Sequence, residues 1–202
     1  MIRSLLKNFE DYLNSPNGID PLVTMSILHY QFESIHPFYD GNGRTGRIIN
    51  VLFLALNDLL DLPILYLSSY IIKNRPEYYR FLREVTYNKN WEQWILYMLN
   101  AIESTAVDSS EKIKKIKKLL DETILEVKEE LPKLYSKEFV ELLFNEPYCR
   151  ISNIVESGLA ARKAAGLYLR ELEKFKILSS KKIGSDVIFI NNKLYNLFKS
   201  KK

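Results

Sequence analysis

His36-Pro37-Phe38-Tyr39-Asp40-Gly41-Asn42-Gly43-Arg44-Thr45-Gly46-Arg47 is the stretch on which the reading of this chain turns. Apolar runs with helical spacing flank it, residues 25–35 before and 48–60 after. A polar loop between two buried-looking helices is a rigidly held site. Pro37 disfavours the α conformation at His36, which ends the first helix there. The next helix is expected from near Gly43 to about Leu60, with Pro63 beyond it.

Working outward, residues 2–13 read as an amphipathic helix with Ile2, Leu5, Leu6, Phe9 and Leu13 on one face. Asn14-Ser15-Pro16-Asn17-Gly18 ends it with turn chemistry. Asp20 and Pro21 read as an N-cap and first-turn proline of the helix that reaches Ile35. On the other side, short helices are expected over 67–73 and from Asn74-Arg75-Pro76-Glu77, then one over 91–106 with Trp91, Trp94, Ile95, Met98, Leu99 and Ile102 as its core face. Asp108-Ser109-Ser110-Glu111 reads as a cap and break. A connecting helix packed on one side follows, too short for sustained coiled-coil heptads.

From residue 133 the pattern changes. Helices are expected over 134–144, from Arg150 to Gly158 and over 160–175. Two strands around a polar turn then occupy 177–190. Three helices and a hairpin make a winged helix-turn-helix. The fold class is therefore mainly α: a helical core over 1–106, a connecting helix over 107–132 and the winged-helix unit over 133–202.

Composition narrows the function classes. The apolar stretch 48–67 holds Asn50, Asn57, Asp58, Asp61 and Pro63, so it is a core helix and its exit rather than a membrane span. The first residues carry charges where a signal peptide needs an apolar run. One cysteine, Cys149, fits a reducing cytoplasm and reads as a small buried side chain. Residues 133–202 hold 14 Lys/Arg against 7 Asp/Glu, while the whole chain is +4, so residues 1–132 carry −3. That basic tail end permits DNA contact without requiring it.

The loop carries the chemistry. Gly41 and Gly43 allow a sharp turn and close backbone approach. The helix that starts there offers unpaired amides to an anion. Asn42 adds an amide donor, and Arg44 and Arg47 add fixed positive forks for phosphate oxygens. Asp40 is placed as a lone Mg²⁺ ligand beside that cradle. His36 suits the base that takes a proton from a hydroxyl near neutral pH. Alone, a His-Pro pair is a structural turn, Gly-Asn-Gly a tight turn and two arginines surface charge. Together in twelve residues they suggest transfer of a phosphate-containing group to a hydroxyl.

The stretch resembles the Fic family motif, His-x-Phe-x-Asp/Glu-Gly-Asn-Gly-Arg-x-x-Arg, at all nine specified positions. Residues 27–35, 67–71, Tyr78-Tyr79 and Trp91-Glu92-Gln93-Trp94 resemble its flanks, so the likeness covers roughly residues 1–106. The connecting helix and winged-helix unit resemble the C-terminal extension of many bacterial Fic proteins. The resemblance implies an all-helical adenylyltransferase that uses ATP and Mg²⁺ to place AMP on a protein Ser, Thr or Tyr hydroxyl. It implies His36 as general base, Asp40 as metal ligand, and Gly41, Asn42, Gly43, Arg44 and Arg47 around the phosphates. Phe38 becomes a buried anchor, and Tyr78 and Tyr79 stand on the nucleoside side, one of them equally suited to core packing. The family's Asn seven residues after the second tyrosine is Thr86 here. His29, on an apolar helix, reads as a satisfied core residue.

The family's flap hairpin and inhibitory helix have no counterpart before His36. Ser152 and Glu156 have the inhibitory spacing but fall in the winged-helix unit. Three readings stay open: a shortened chain with a complete nucleotide site, a separate partner that supplies the missing region, or an enzyme without restraint. Family habit points to a homodimer. The competing function is a DNA-associated regulator with a vestigial core. Arg162 and Lys163 would reach phosphates, but Ala161, Ala164, Ala165 and Gly166 offer little for reading bases. Phosphate transfer by the same scaffold is a third chemistry.

Overall fold

The computed structural model describes residues 1–15, 18–184 and 186–199. The turn expected at Pro16-Asn17 and Ser185 of the hairpin turn lie outside the described residues. Two compact units emerge, Met1–Ser109 and Ser110–Lys202.

In the first unit, α1 (Ile2–Asn14) precedes α2 (Pro21–Ile35), which opens as expected: the Asp20 carboxylate accepts from the Leu22 amide at 2.8 Å and Pro21 takes the first turn. Met25, Leu28 and Phe32 recur at helical spacing and are buried. The indole of Trp94 donates to the Ser26 carbonyl at 2.8 Å, tying α2 to a helix 68 residues away. Helix α2 stops at Ile35 because His36 swings into the left-handed region, φ 49°. Helix α3 (Asn42–Leu56) starts from Gly41, φ 87°. It ends four residues before the expected Leu60. Asn57 bonds back to the Phe53 carbonyl, and Asp58 turns left-handed at φ 57°. Helices α4 (Leu67–Lys73) and α5 (Arg75–Asn88) follow.

Helix α6 (Trp91–Glu130) corrects one expectation. No break occurs at 108–111. Asp and Ser there are poor helix formers, but at surface positions their deficit is only a few tenths of a kcal/mol each, about what a continuous backbone recovers. Trp94, Met98 and Ala101 are buried in the first core, and Val127 in the second.

In the second unit, α7 (Lys137–Asn145) is capped by the Ser136 hydroxyl, which accepts from the Phe139 amide at 3.1 Å. After it come β1 (Tyr148–Cys149), α8 (Ile151–Glu156), α9 (Arg162–Lys174) and the hairpin β2 (Ser179–Ile183) and β3 (Asp186–Ile190). The strands form an antiparallel sheet in the order β1-β3-β2, with Cys149 opposite Phe189. The expected three helices and hairpin are there. Two elements are additions: β1, too short to alternate, and α10 (Asn192–Phe198), whose start is capped by Asn191. Cys149 is buried, and burial pushes its thiol up to about 11, so it behaves as an inert core side chain.

Candidate active site

The site grows out of the α2–loop–α3 hairpin. The first bond of α3 runs from the Thr45 amide to the Gly41 carbonyl at 2.9 Å. The amides of Asn42, Gly43 and Arg44 therefore precede any intrahelical acceptor and carry the positive end of the helix dipole. Gly41 and Gly43 have different roles. Gly41 makes the left-handed turn. Gly43 is helical and keeps space open: a Cβ there would lie 3.0 Å from Arg47 Nη1.

The Asn42 side chain is not the free donor its type suggested. It is buried, its Nδ2 donates to the Phe38 carbonyl at 2.6 Å, and its Oδ1 accepts from the Phe38 amide at 2.9 Å. It latches the loop, which leaves its backbone amide as the group that could meet an anion. Phe38 departs from the buried anchor expected of it. Half its surface is exposed, and its ring meets Phe32 at 6.3 Å between centroids. The anchoring is done by the Asn42 latch on the Phe38 backbone, which releases the ring from that duty.

His36 Nδ1 lies 3.4 Å from the Glu33 carbonyl. A carbonyl only accepts, so Nδ1 carries the hydrogen and Nε2 keeps a lone pair. Asp40 accepts from the Gly41 amide at 2.6 Å and pairs with Arg44 at 3.3 Å, both side chains largely exposed. Arg47 is half-buried and donates through Nε to the Ser68 hydroxyl at 2.7 Å. No group of three or more His, Cys, Asp or Glu is placed to hold a metal among the described residues.

His36, Asp40, Gly41, Asn42, Gly43, Arg44 and Arg47 line one cavity of about 920 Å³. Tyr78 and Tyr79 line it too, on unequal terms. Tyr78 is buried against Trp94 and Tyr97, with its hydroxyl 2.9 Å from His29 Nε2; Tyr79 is half exposed, with Arg75 over its ring at 5.6 Å. Core packing therefore falls to Tyr78. His29 is fully buried. Its Nε2 is bonded, while Nδ1 faces Gly46 and Asn50 without a well-formed hydrogen bond.

Glu33, Tyr30, Arg75 and Arg83 also line the cavity, and the sequence reading gave them no role. The signal was available. Glu33 is one turn before His36, and Arg75, Tyr79 and Arg83 fall at i, i+4 and i+8 on one face of α5. Glu33 Oε1 is buried with no hydrogen-bond partner among the described residues, and burial raises its carboxyl pKa against the opposing pull of Arg47 and then His36.

The arrangement defines a class: a helical protein that presents a histidine, a helix start with unpaired backbone amides and two arginines to one cleft. A model of the Fic/DOC family matches residues 1–54, and one described as the C-terminal domain of SoFic-like protein adenylyltransferase matches residues 119–194. Both models are of Fic-type proteins, and each matches less than half of this chain. It is 36% identical over 84 residues to a probable protein adenylyltransferase of Aquifex aeolicus, covering 42% of this chain and 24% of that protein. It is 35% identical over 82 residues to the protein adenylyltransferase Fic of Drosophila willistoni, covering 39% and 15%. The matches thus span a quarter or less of these relatives' length. Among solved structures, a Fic family protein from Desulfovibrio desulfuricans G20 shares the fold, with TM-score 0.51 and 20% identity over 94% of this chain and 55% of that one.

Proposed function

We propose that this chain transfers AMP from ATP to a hydroxyl of a target protein. The observation that carries the reading is convergence: His36, the free amides at the start of α3, Arg44 and Arg47 line a single cavity. The relatives' names support it at the level of the family. In this reading the α3 amides and Arg47 grip the phosphates, and Arg44 exchanges Asp40 for phosphate oxygen. His36 Nε2 takes the hydroxyl proton as that oxygen bonds to the α-phosphorus and the bond to pyrophosphate breaks. Asp40 fits Mg²⁺, because a single exposed carboxylate beside phosphates is the donor set that ion accepts. When bound, the ion supplies neutralising charge for the departing pyrophosphate.

The target protein, a partner supplying the docking segment, and a cytoplasmic location belong to the same proposal. The single cysteine, which cannot form a disulfide within the chain, is the observation behind the last. Among the described residues no helix is long and apolar enough to cross a membrane. The test is incubation with α-labelled ATP, Mg²⁺ and cell lysate. A labelled protein band is expected, lost in His36→Ala. Label from γ- but not α-labelled ATP would mean phosphate transfer instead. A second reading rests on Arg162 and Lys163, both exposed in the first turn of α9: DNA contact through phosphates. A salt-sensitive DNA shift lost on replacing both with Ala would support it.

A further inference from the structure

Glu33 lines the cavity from α2, yet neither the anion cradle nor the proton transfer uses it. Its Oε1 is buried with no hydrogen-bond partner among the described residues. It lies against the start of α3. A Cβ at Gly46 would stand 3.0 Å from Glu33 Oε1, and one at Gly43 would meet Arg47 Nη1 at 3.0 Å and Glu33 Oε1 at 3.7 Å. Arg47 commits its Nε to the Ser68 hydroxyl, which leaves its outer nitrogens for the cavity. The titratable groups facing the carboxyl are Arg47 on α3, His36 on the loop, His29 on α2 and Tyr78 on α5. Burial favours the neutral carboxyl, and Arg47 first and His36 second favour the charged one. His29 is neutral above about pH 4, and burial keeps the proton on the Tyr78 hydroxyl, so neither brings charge to Glu33 near neutral pH. Arg47 is thus both the main support of a charged Glu33 and the group that phosphate oxygens would engage.

We propose that Glu33 couples the binding of a polyphosphate to the uptake of a proton, acting through Arg47. In the free chain the guanidinium favours the carboxylate. Oxygens of a bound polyphosphate neutralise Arg47 and bring negative charge close by, so Glu33 takes a proton from solvent. Arg47 then faces phosphate with no competing carboxylate beside it. The occupied chain binds more protons than the free one, so affinity rises as pH falls through the titration of Glu33. The inference rests on the phosphate reading above and adds the regulation of that site by pH.

The test is calorimetry of ATP binding, without metal, in buffers of unlike ionisation heat from about pH 5 to about pH 8. The native chain should take up more protons per ATP than Glu33→Gln. His36 and the ATP phosphates titrate in both proteins and are common to the comparison. Glu33→Gln is neutral at every pH. It should bind ATP more tightly than the native chain at about pH 8 and match it at about pH 5, whereas losing a merely structural side chain weakens binding at both. Equal proton uptake by the two proteins, or weaker binding by Glu33→Gln at the alkaline end, overturns this inference and leaves the phosphate site standing. Should Glu33→Gln not fold, the infrared difference spectrum of the native chain decides. ATP should convert a carboxylate band into that of a protonated carboxyl, and absence of that change overturns the inference. Failure of the native chain to bind ATP overturns the phosphate reading and this one with it.

Discussion

Acid should weaken the first unit through His29. Burial first, and the nearby Arg47 second, lower its pKa to about 4 from an ordinary 6.5. The unfolded chain takes up a proton as pH falls below 6.5, and the folded chain does not until about 4. Across that window the unfolded state binds more protons, so stability falls with falling pH and levels off below 4. Between about pH 7 and 4.5 the loss from this one group is roughly 2 to 3 kcal/mol. The assay is built into the fold. Both tryptophans, Trp91 and Trp94, belong to the first unit, and the Trp94 ring stacks on His29 with 2° between planes. Indole fluorescence during denaturant unfolding therefore reports this unit. His29→Gln keeps a polar partner for Tyr78 and removes the titration. Glu33 works in the opposite sense: its raised pKa makes the folded state the better proton binder as pH drops, but that contribution is common to both proteins and cancels. The native chain should lose roughly 2 kcal/mol more than His29→Gln on acidification. Equal losses would refute the reasoning.

Arg47→Ala should raise the dissociation constant for ATP about tenfold or more, the value of a charge-assisted contact, read by calorimetry. Asn42→Ala removes both bonds to the Phe38 backbone from a buried position and should destabilise the first unit by about 1 to 3 kcal/mol, measured by indole fluorescence in denaturant. Leu169→Ala, at a fully buried core position, should cost the second unit about 2 to 5 kcal/mol. Circular dichroism must follow that one, since both tryptophans lie in the first unit.

Periodicity and punctuation made most of the helices legible. Asp20-Pro21 marked a start and Pro37 a stop because capping and the residue before proline act locally. The failures have equally local causes. Ser109 and Ser110 carry cap-like chemistry, yet a helix packed at both its ends runs through them. A two-residue strand has no alternation to read, and β1 exists because β3 has an edge to pair with. At the site, residue types pointed to an anion cradle, but side-chain direction was not legible. Whether Asn42 points to a phosphate or back to Phe38 depends on how tightly the loop closes. Which of Tyr78 and Tyr79 enters the core depends on how α5 is rotated against Trp94 and Tyr97.

The polar groups beneath the loop explain why the local rules bend here. His36 is a non-glycine residue at φ 49°, Glu33 buries a carboxyl oxygen without a partner, and Asn50 is buried with both side-chain polar atoms unpaired among the described residues. Each costs stability, of order 1 kcal/mol or more. A core optimised for stability alone would replace Asn50 and Glu33 with apolar residues. Glu33, within reach of the charges of Arg47 and His36, puts its share of the cost where charge must be held in a fixed pose. The close approach of α2 and α3 enforces this: a Cβ at Gly46 would stand 3.0 Å from Glu33 Oε1 and 3.2 Å from the His29 ring. Glycine at that point lets the two helices meet tightly enough for the loop's backbone and its buried carboxyl to share one geometry. The same tight contact desolvates His29 and Glu33, so the pH dependence of stability and the rigidity of the loop have a single structural origin.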